Sequence, residues 1–179
     1  MNNTAATLPA MNDFQTMRFI DLHQEHNWHT VGGEDGPAPH LLPREGQLLT
    51  LEQWHAVRDT WPVGLRTGVV VPNTLDIESL ASDLNRLALV VLQFPKWTDG
   101  RAYSQAQLLR RRLRYAGEVR AVGDVLVDMV PLLQRCGFDA LVLRGDQSVK
   151  DAQRAGRFFS EHYQADALQG APRFARGLA

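Results

Sequence analysis

From Val69 onward the chain repeats one pattern: a short apolar run, a turn, and an amphipathic stretch at helical spacing. The runs GVVV, LALVVLQF, EVRAV and ALVLR have the length and β-branched content of strands buried on both faces. After the first, Asp76 stands as an N-cap before IESLASDLNRL, where Ile77, Leu80, Ala81, Leu84 and Leu87 share one helical face. Ser104 with Gln107 spells a capping box ahead of QAQLLRRRLRY, which Gly117 closes. Gly123-Asp124 opens VLVDMVPLLQRC, and Pro131 inside it predicts a kink or a shorter helix. Gly137 occupies a left-handed C-cap position, and a last helix is expected from about Ser148 to Tyr163.

Strand and helix alternate four times over roughly 95 residues, the signature of βα units and a parallel sheet. The predicted class is α/β: four consecutive βα units in a half-barrel-like or small open sheet, with an irregular N-terminal arm. Residues 1–16 are polar, carry Pro9 and read as a flexible leader. Residues 17–65 form the arm. It opens on the strand-like MRFIDL, crosses a Gly- and Pro-rich loop from Gly32 to Gly46, and contains one helix. Thr50 and Gln53 form that helix's capping box, and Pro62 stops it. The βα domain is placed at 66–165 and a flexible tail at 166–179.

Composition narrows the class. At 179 residues, 44% hydrophobic and 22% charged, the chain suits one globular domain. A single cysteine, Cys136, excludes an internal disulfide framework and any Cys-only zinc or iron–sulfur site. No apolar run approaches the ~20 residues of a membrane span, and the N-terminus lacks signal-peptide character; a cytoplasmic protein is expected. The net charge of −1 hides an asymmetry. Residues 1–60 hold three Lys/Arg against eight Asp/Glu, and residues 96–120 hold seven against two. Such a basic segment attracts anions or an acidic partner, or is one solvated helix face.

In parallel α/β folds, ligands bind at the loops after the strand C-termini. That rule picks out Pro72–Thr74, the run from Pro95 to Ser104, Gly123-Asp124, and Arg144-Gly145-Asp146. Lys96, Arg101, Arg120 and Arg144 near helix N-termini would suit an oxyanion, with Asp99 or Asp124 as acid or base. Plain readings stand beside these. Asp99-Gly100-Arg101 also reads as a tight turn with an exposed ion pair, and Asp124 as an N-cap. Arg120, inside a strand, needs either a partner such as Asp99 or Asp124, or a substrate.

His23, His26 and His29 are spaced by three with Glu25 among them. On a helix the first two could share a metal, but Asn27, Trp28 and Thr30 argue against a helix there. In a strand that spacing puts neighbours on opposite faces, so no metal is expected. Cys136 reads as a small buried apolar group. Arg110, Arg111, Arg112 and Arg114 spread around their helix with few aromatic neighbours, which argues against nucleic-acid binding. No dinucleotide fingerprint, phosphate loop or nucleophile elbow is present, and no cofactor is expected. Trp97, in a loop after a strand, is the tryptophan expected at an interface; packing under the arm is the alternative.

The stretch from Phe94 to Leu143 resembles the bacterial domain-of-unknown-function family nine-thirty-four. The resemblance rests on Asp99-Gly100-Arg101 with Tyr103-Ser104, Leu108-Leu109-Arg110, Gly117-Glu118, Arg120-Ala121-Val122-Gly123-Asp124 and Arg135-Cys136-Gly137-Phe138-Asp139. It continues less sharply through Trp28 and the Leu51–Trp54 helix. One departure is Asp128-Met129, where the family pattern has Asp-Gln. Family members are labelled oxidoreductases of sulfite reduction and are encoded beside the hemoprotein sulfite reductase. The resemblance therefore implies a role in sulfate assimilation and establishes no catalytic residue. Two accounts follow. In one the protein is an accessory partner of the sulfite reductase hemoprotein, docking through Arg110, Arg111, Arg114 and Trp97. In the other it is a small enzyme that binds sulfite or a related anion at Lys96, Arg101, Arg120 and Arg144. A scaffolding homo-oligomer is the third, plainer possibility.

Overall fold

The computed structural model describes residues 17–20, 28–30, 41–158 and 165–167. Seven strands form one parallel sheet in the order β1-β7-β6-β5-β4-β3-β2. They are β1 (Arg18–Phe19), β2 (His29–Thr30), β3 (Gln47–Thr50), β4 (Thr67–Val71), β5 (Leu89–Phe94), β6 (Glu118–Gly123) and β7 (Ala140–Leu141). The four strands expected from the apolar runs are β4 to β7. The expected N-terminal arm adds three more strands to the same sheet. β1 and β2 stand at opposite edges although nine residues separate them. Flat, those edges would lie about 29 Å apart at ~4.8 Å per strand, close to the full reach of the connecting chain. The sheet is instead curled into a half-barrel.

Its outer face carries Val69, Val71, Val90, Leu92, Phe94, Val119 and Ala121, which pack with the helices in one core. Those helices are α1 (Leu51–Val57), α2 (Arg101–Gln107), α3 (Val130–Cys136) and α4 (Val149–Gly156). Alternate residues, among them Leu89, Val91 and Arg120, are buried on the inner face. Trp54 and Trp61 are core residues at 0% and 4% exposure, while Trp97 is 55% exposed.

Several local expectations hold. Thr50 and Gln53 make the reciprocal capping box of α1, and Gly137 ends α3 at φ 92° in the left-handed region. Others are corrected. The helix expected from Ile77 to Leu87 is two turns of 3₁₀ helix, Ile77–Leu80 and Leu84–Arg86. Asp83 lies between them, where its carboxylate accepts from Trp54 Nε1 and Arg58 Nη1, both at 3.0 Å. That distant pull wins over the helical period. Ser104 caps nothing: α2 begins at Arg101 and continues as a π turn over Leu108–Arg112. Pro131 makes no kink; the other expectation holds, a helix shorter than the pattern, since α3 begins at Val130 and Pro131 sits in its first turn, where its missing N–H is unneeded. α4 is capped by Ser148 as expected and ends at Gly156. The leader, His23, Glu25, His26, most of the tail and the end of the predicted last helix lie outside the described residues.

Candidate functional site

Strands running in parallel deliver the loops after β4, β5, β6 and β7 to one rim of the half-barrel. There the expected anion ligands meet carboxylates. Asp99 accepts from Arg101 Nε at 3.0 Å and Arg101 Nη2 at 2.6 Å. Arg144 gives Nη1 to Asp124 at 2.7 Å, and Nε and Nη2 to Asp146 at 2.6 and 2.7 Å. The second oxygen of Asp124 accepts from the Trp97 backbone N–H at 2.9 Å. Asp124 is thus no helix cap; it braces the loop after β5 against the loop after β7. Each rim arginine is matched by at least one carboxylate, and Lys96 is the rim cation with no ion pair among the described residues.

These contacts set the proton affinities. The Arg101 guanidinium holds the Asp99 carboxyl well below its ordinary range. The Trp97 amide and then Arg144 lower Asp124. Arg144 takes Asp146 down to about 2. A general acid or base working near neutrality needs a pKa close to the ambient pH, so Asp99 and Asp124 are poorly suited to the role expected of them. A carboxyl with a lowered folded pKa contributes stability above its unfolded value, and that contribution is lost as pH falls through the folded value. The rim network therefore stays intact at mild acidity. Carboxyl-carbon NMR should give Asp146 a midpoint near 2 and place Asp124 below its ordinary value. Ordinary midpoints at both would mean that Arg144 is not held between them.

Arg120 does not join the rim. It is 3% exposed on the inner face and bonds Glu118 Oε1 through Nε at 2.9 Å and Nη2 at 2.8 Å. Its partner is Glu118, two residues back on the same face, rather than Asp99 or Asp124. The other oxygen of Glu118 meets Arg18 at 2.6 Å. Since Glu118 starts β6 and the rim follows Gly123, the pairing draws Arg120 away from Arg101 and Arg144. The expected oxyanion set is thereby divided between two places.

The expected docking residues divide as well. Arg110 turns inward: Nε bonds Gly137 O at 2.9 Å, Nη1 bonds Tyr115 O and Gly117 O at 2.7 and 2.8 Å, and Nη2 meets Asp139. This is a structural clamp, built from three of the motifs that carry the family resemblance. Arg112 pairs with Glu78 at 2.8 Å. Arg111 and Arg114 are exposed with no side-chain partner among the described residues, and Arg114 has a positive φ of 54°. Trp97 lies on the rim, whereas Arg111 and Arg114 close the helical run that descends from it toward the start of β6. The twelve-residue span from Arg101 to Arg112 corresponds to about 18 Å at 1.5 Å per residue.

Cys136 is 1% exposed, accepts from Gln107 Nε2 at 3.3 Å, and has its thiol pushed up by burial. It packs as a small apolar group. Among the described residues no group of His, Cys, Asp and Glu could hold a metal, and His29 is an exposed residue of β2. No described helix is long and apolar enough to cross a membrane.

Sequence reasoning picked out the Pro72–Thr74 loop but gave Asn73 no role of its own. Asn73 is buried there, its Nδ2 has no hydrogen-bond partner among the described residues, and it lies close enough to Asp99 to lower that carboxyl. It also missed a basic stripe on α4. Lys150, Arg154 and Arg157 stand at i, i+4 and i+7, a spacing that the sequence displays once the helix is placed.

A family model described as a bacterial protein of unknown function (DUF934) matches residues 68–174, and the chain belongs to that family. The matched segment runs from β4 past α4 and contains both the rim network and the Arg110 clamp. No curated protein matches the chain.

Proposed function

We propose that this protein is a cytoplasmic accessory partner of assimilatory sulfite reduction, docking on an acidic face of the sulfite reductase hemoprotein. The choice of partner follows from the family resemblance. The observation that carries a docking role is the contrast between neutralised and free cations. Arg101 and Arg144 are bound by carboxylates at the rim, whereas Arg111 and Arg114 project without partners among the described residues. A sulfite ion arriving at the rim would have to compete with the carboxylates already in place. An acidic protein surface arriving at the arginines displaces only water and counterions.

Exposed charges of this kind act mainly on association and its salt dependence. The protein and the hemoprotein should therefore co-elute at low salt and separate at ~0.5 M, where screening shortens electrostatic reach to a few Å. The R111E/R114E variant should fail to co-elute at low salt while keeping its melting temperature. No co-elution under either condition, or retention unaffected by the double reversal, would overturn the proposal. In the first case a sulfite titration monitored at Trp97 would test the oxyanion-binding alternative.

A further inference from the structure

α4 carries three exposed cations on one face, Lys150, Arg154 and Arg157. Among the described residues none of their side chains has a hydrogen bond or ion pair, unlike Arg101, Arg110, Arg112 and Arg144. Beside them a groove of about 580 Å³ separates α4 from the edge strand β1. Arg157 and Gln153 line one wall, Phe19 and Ile20 the other, and Val149, 47% exposed, adds apolar surface. The volume falls within the range of ligand-binding clefts.

The strand wall has its own chemistry. The Arg18 and Ile20 N–H groups bond Asp139 O and Leu141 O, both at 2.9 Å, toward β7. Backbone groups alternate sides along a strand, so the Phe19 N–H and C=O face away from the sheet. No described residue pairs with them. An unpaired strand edge invites another strand.

We infer that this groove binds an extended acidic segment of a partner polypeptide, whose backbone pairs with β1 at Phe19, whose carboxylates meet Arg157 in the groove and Arg154 on the adjoining face of α4, and whose alternate apolar side chains enter between Phe19 and Val149. The cationic stripe attracts an anionic ligand, and the strand edge and apolar wall select a polypeptide over a phosphate chain. Nucleic acid would leave the edge unused and would find few rings to stack on. The inference is independent of the docking proposed for Arg111 and Arg114, which lie on the run that ends α2.

The test uses the full chain and a short fluorescent peptide alternating glutamate with leucine, read by anisotropy at low salt. Binding should weaken about tenfold or more in R154E/R157E, in line with the loss of close charge pairs. It should weaken comparably when the peptide leucines become serines. Hydrogen exchange at the Phe19 amide should slow when the peptide is bound. Should the reversals disturb α4, R154Q/R157Q removes the charges without adding repulsion, and the same loss is expected. R111E/R114E should leave peptide affinity unchanged, so the two surfaces can fail separately. Absence of binding, binding indifferent to Arg154 and Arg157, or no slowing at Phe19 would each overturn the inference. So would equal or tighter binding of an oligothymidylate of matched charge, which would make this a phosphate-binding surface.

Discussion

Replacing Arg110 with Met should lower the stability of the protein by about 2–4 kcal/mol, toward but below the ~3–5 kcal/mol of a fully buried pair, because this pair keeps some contact with solvent. The guanidinium joins the descending helical run, the turn at Gly137, the approach to β6 and the approach to β7. Its loss strands three carbonyl oxygens and leaves Asp139 with the Val119 N–H, at 2.7 Å, as its remaining hydrogen-bond donor. Urea unfolding should show the loss as a lower midpoint with unchanged slope. In a heat scan it should appear as a fall of roughly 10 °C for a chain of this size. The deficit should also depend on pH. Burial pushes the Asp139 carboxyl up, against the pull of Arg110 and the Val119 amide. Without Arg110 the folded pKa rises further above its unfolded value. A carboxyl raised on folding destabilises increasingly as pH climbs between those two values, so the deficit is smallest below about pH 4 and grows toward neutrality. A loss under about 1 kcal/mol, the worth of an exposed pair, would show that Arg110 does not clamp these segments together.

Arg110 also marks how far the sequence could be read. Its neighbours Arg111 and Arg114 carry the same charge in the same run, and only the fold separates a clamp from a docking residue. The partner of Arg110 is Asp139, 29 residues away, and no local spacing connects them. The ion pair of Asp99 with Arg101 was legible, because two residues across a Gly turn can hardly avoid each other. So was the burial of Cys136, beside a glycine that ends its helix.

The same division holds for the fold. β4 to β7 were legible because their apolar runs are long enough for burial on both faces. β2 and β3 were not: HT and QLLT are short and half polar. They are strands because β4 offers an edge, which is a tertiary fact. The predicted helix after Asp76 had the right periodicity, but the Trp54 indole and Arg58 hold the Asp83 carboxylate from another part of the chain. Periodicity reports which face is buried; a captured side chain decides whether the turn there is α or 3₁₀.

The Gly123→Ala substitution should be the most damaging single change at the rim, costing about 3 kcal/mol from backbone strain and crowding together. Gly123 has φ +101°, and a Cβ there would lie 2.4 Å from Phe94 O and 3.1 Å from Phe94 C. Phe94 is fully buried and stacks edge-on against Tyr103 at 5.1 Å, so its backbone has little room to yield. The loop after β6 must move instead. That breaks the bond from Asp124 N–H to Phe94 O at 2.7 Å and pulls the Asp124 carboxylate from Trp97 and Arg144. Asp124→Asn separates the two effects. It keeps the backbone and weakens the charge, so the Trp97 amide should exchange faster while global stability changes little, as expected for an exposed pair. Wild-type stability in the Gly123→Ala variant would show that the loop yields freely. Both variants leave the arginine run and α4 untouched, so partner binding should survive them; if it is lost in Asp124→Asn, the binding face is the rim that presents Trp97, and neither basic surface.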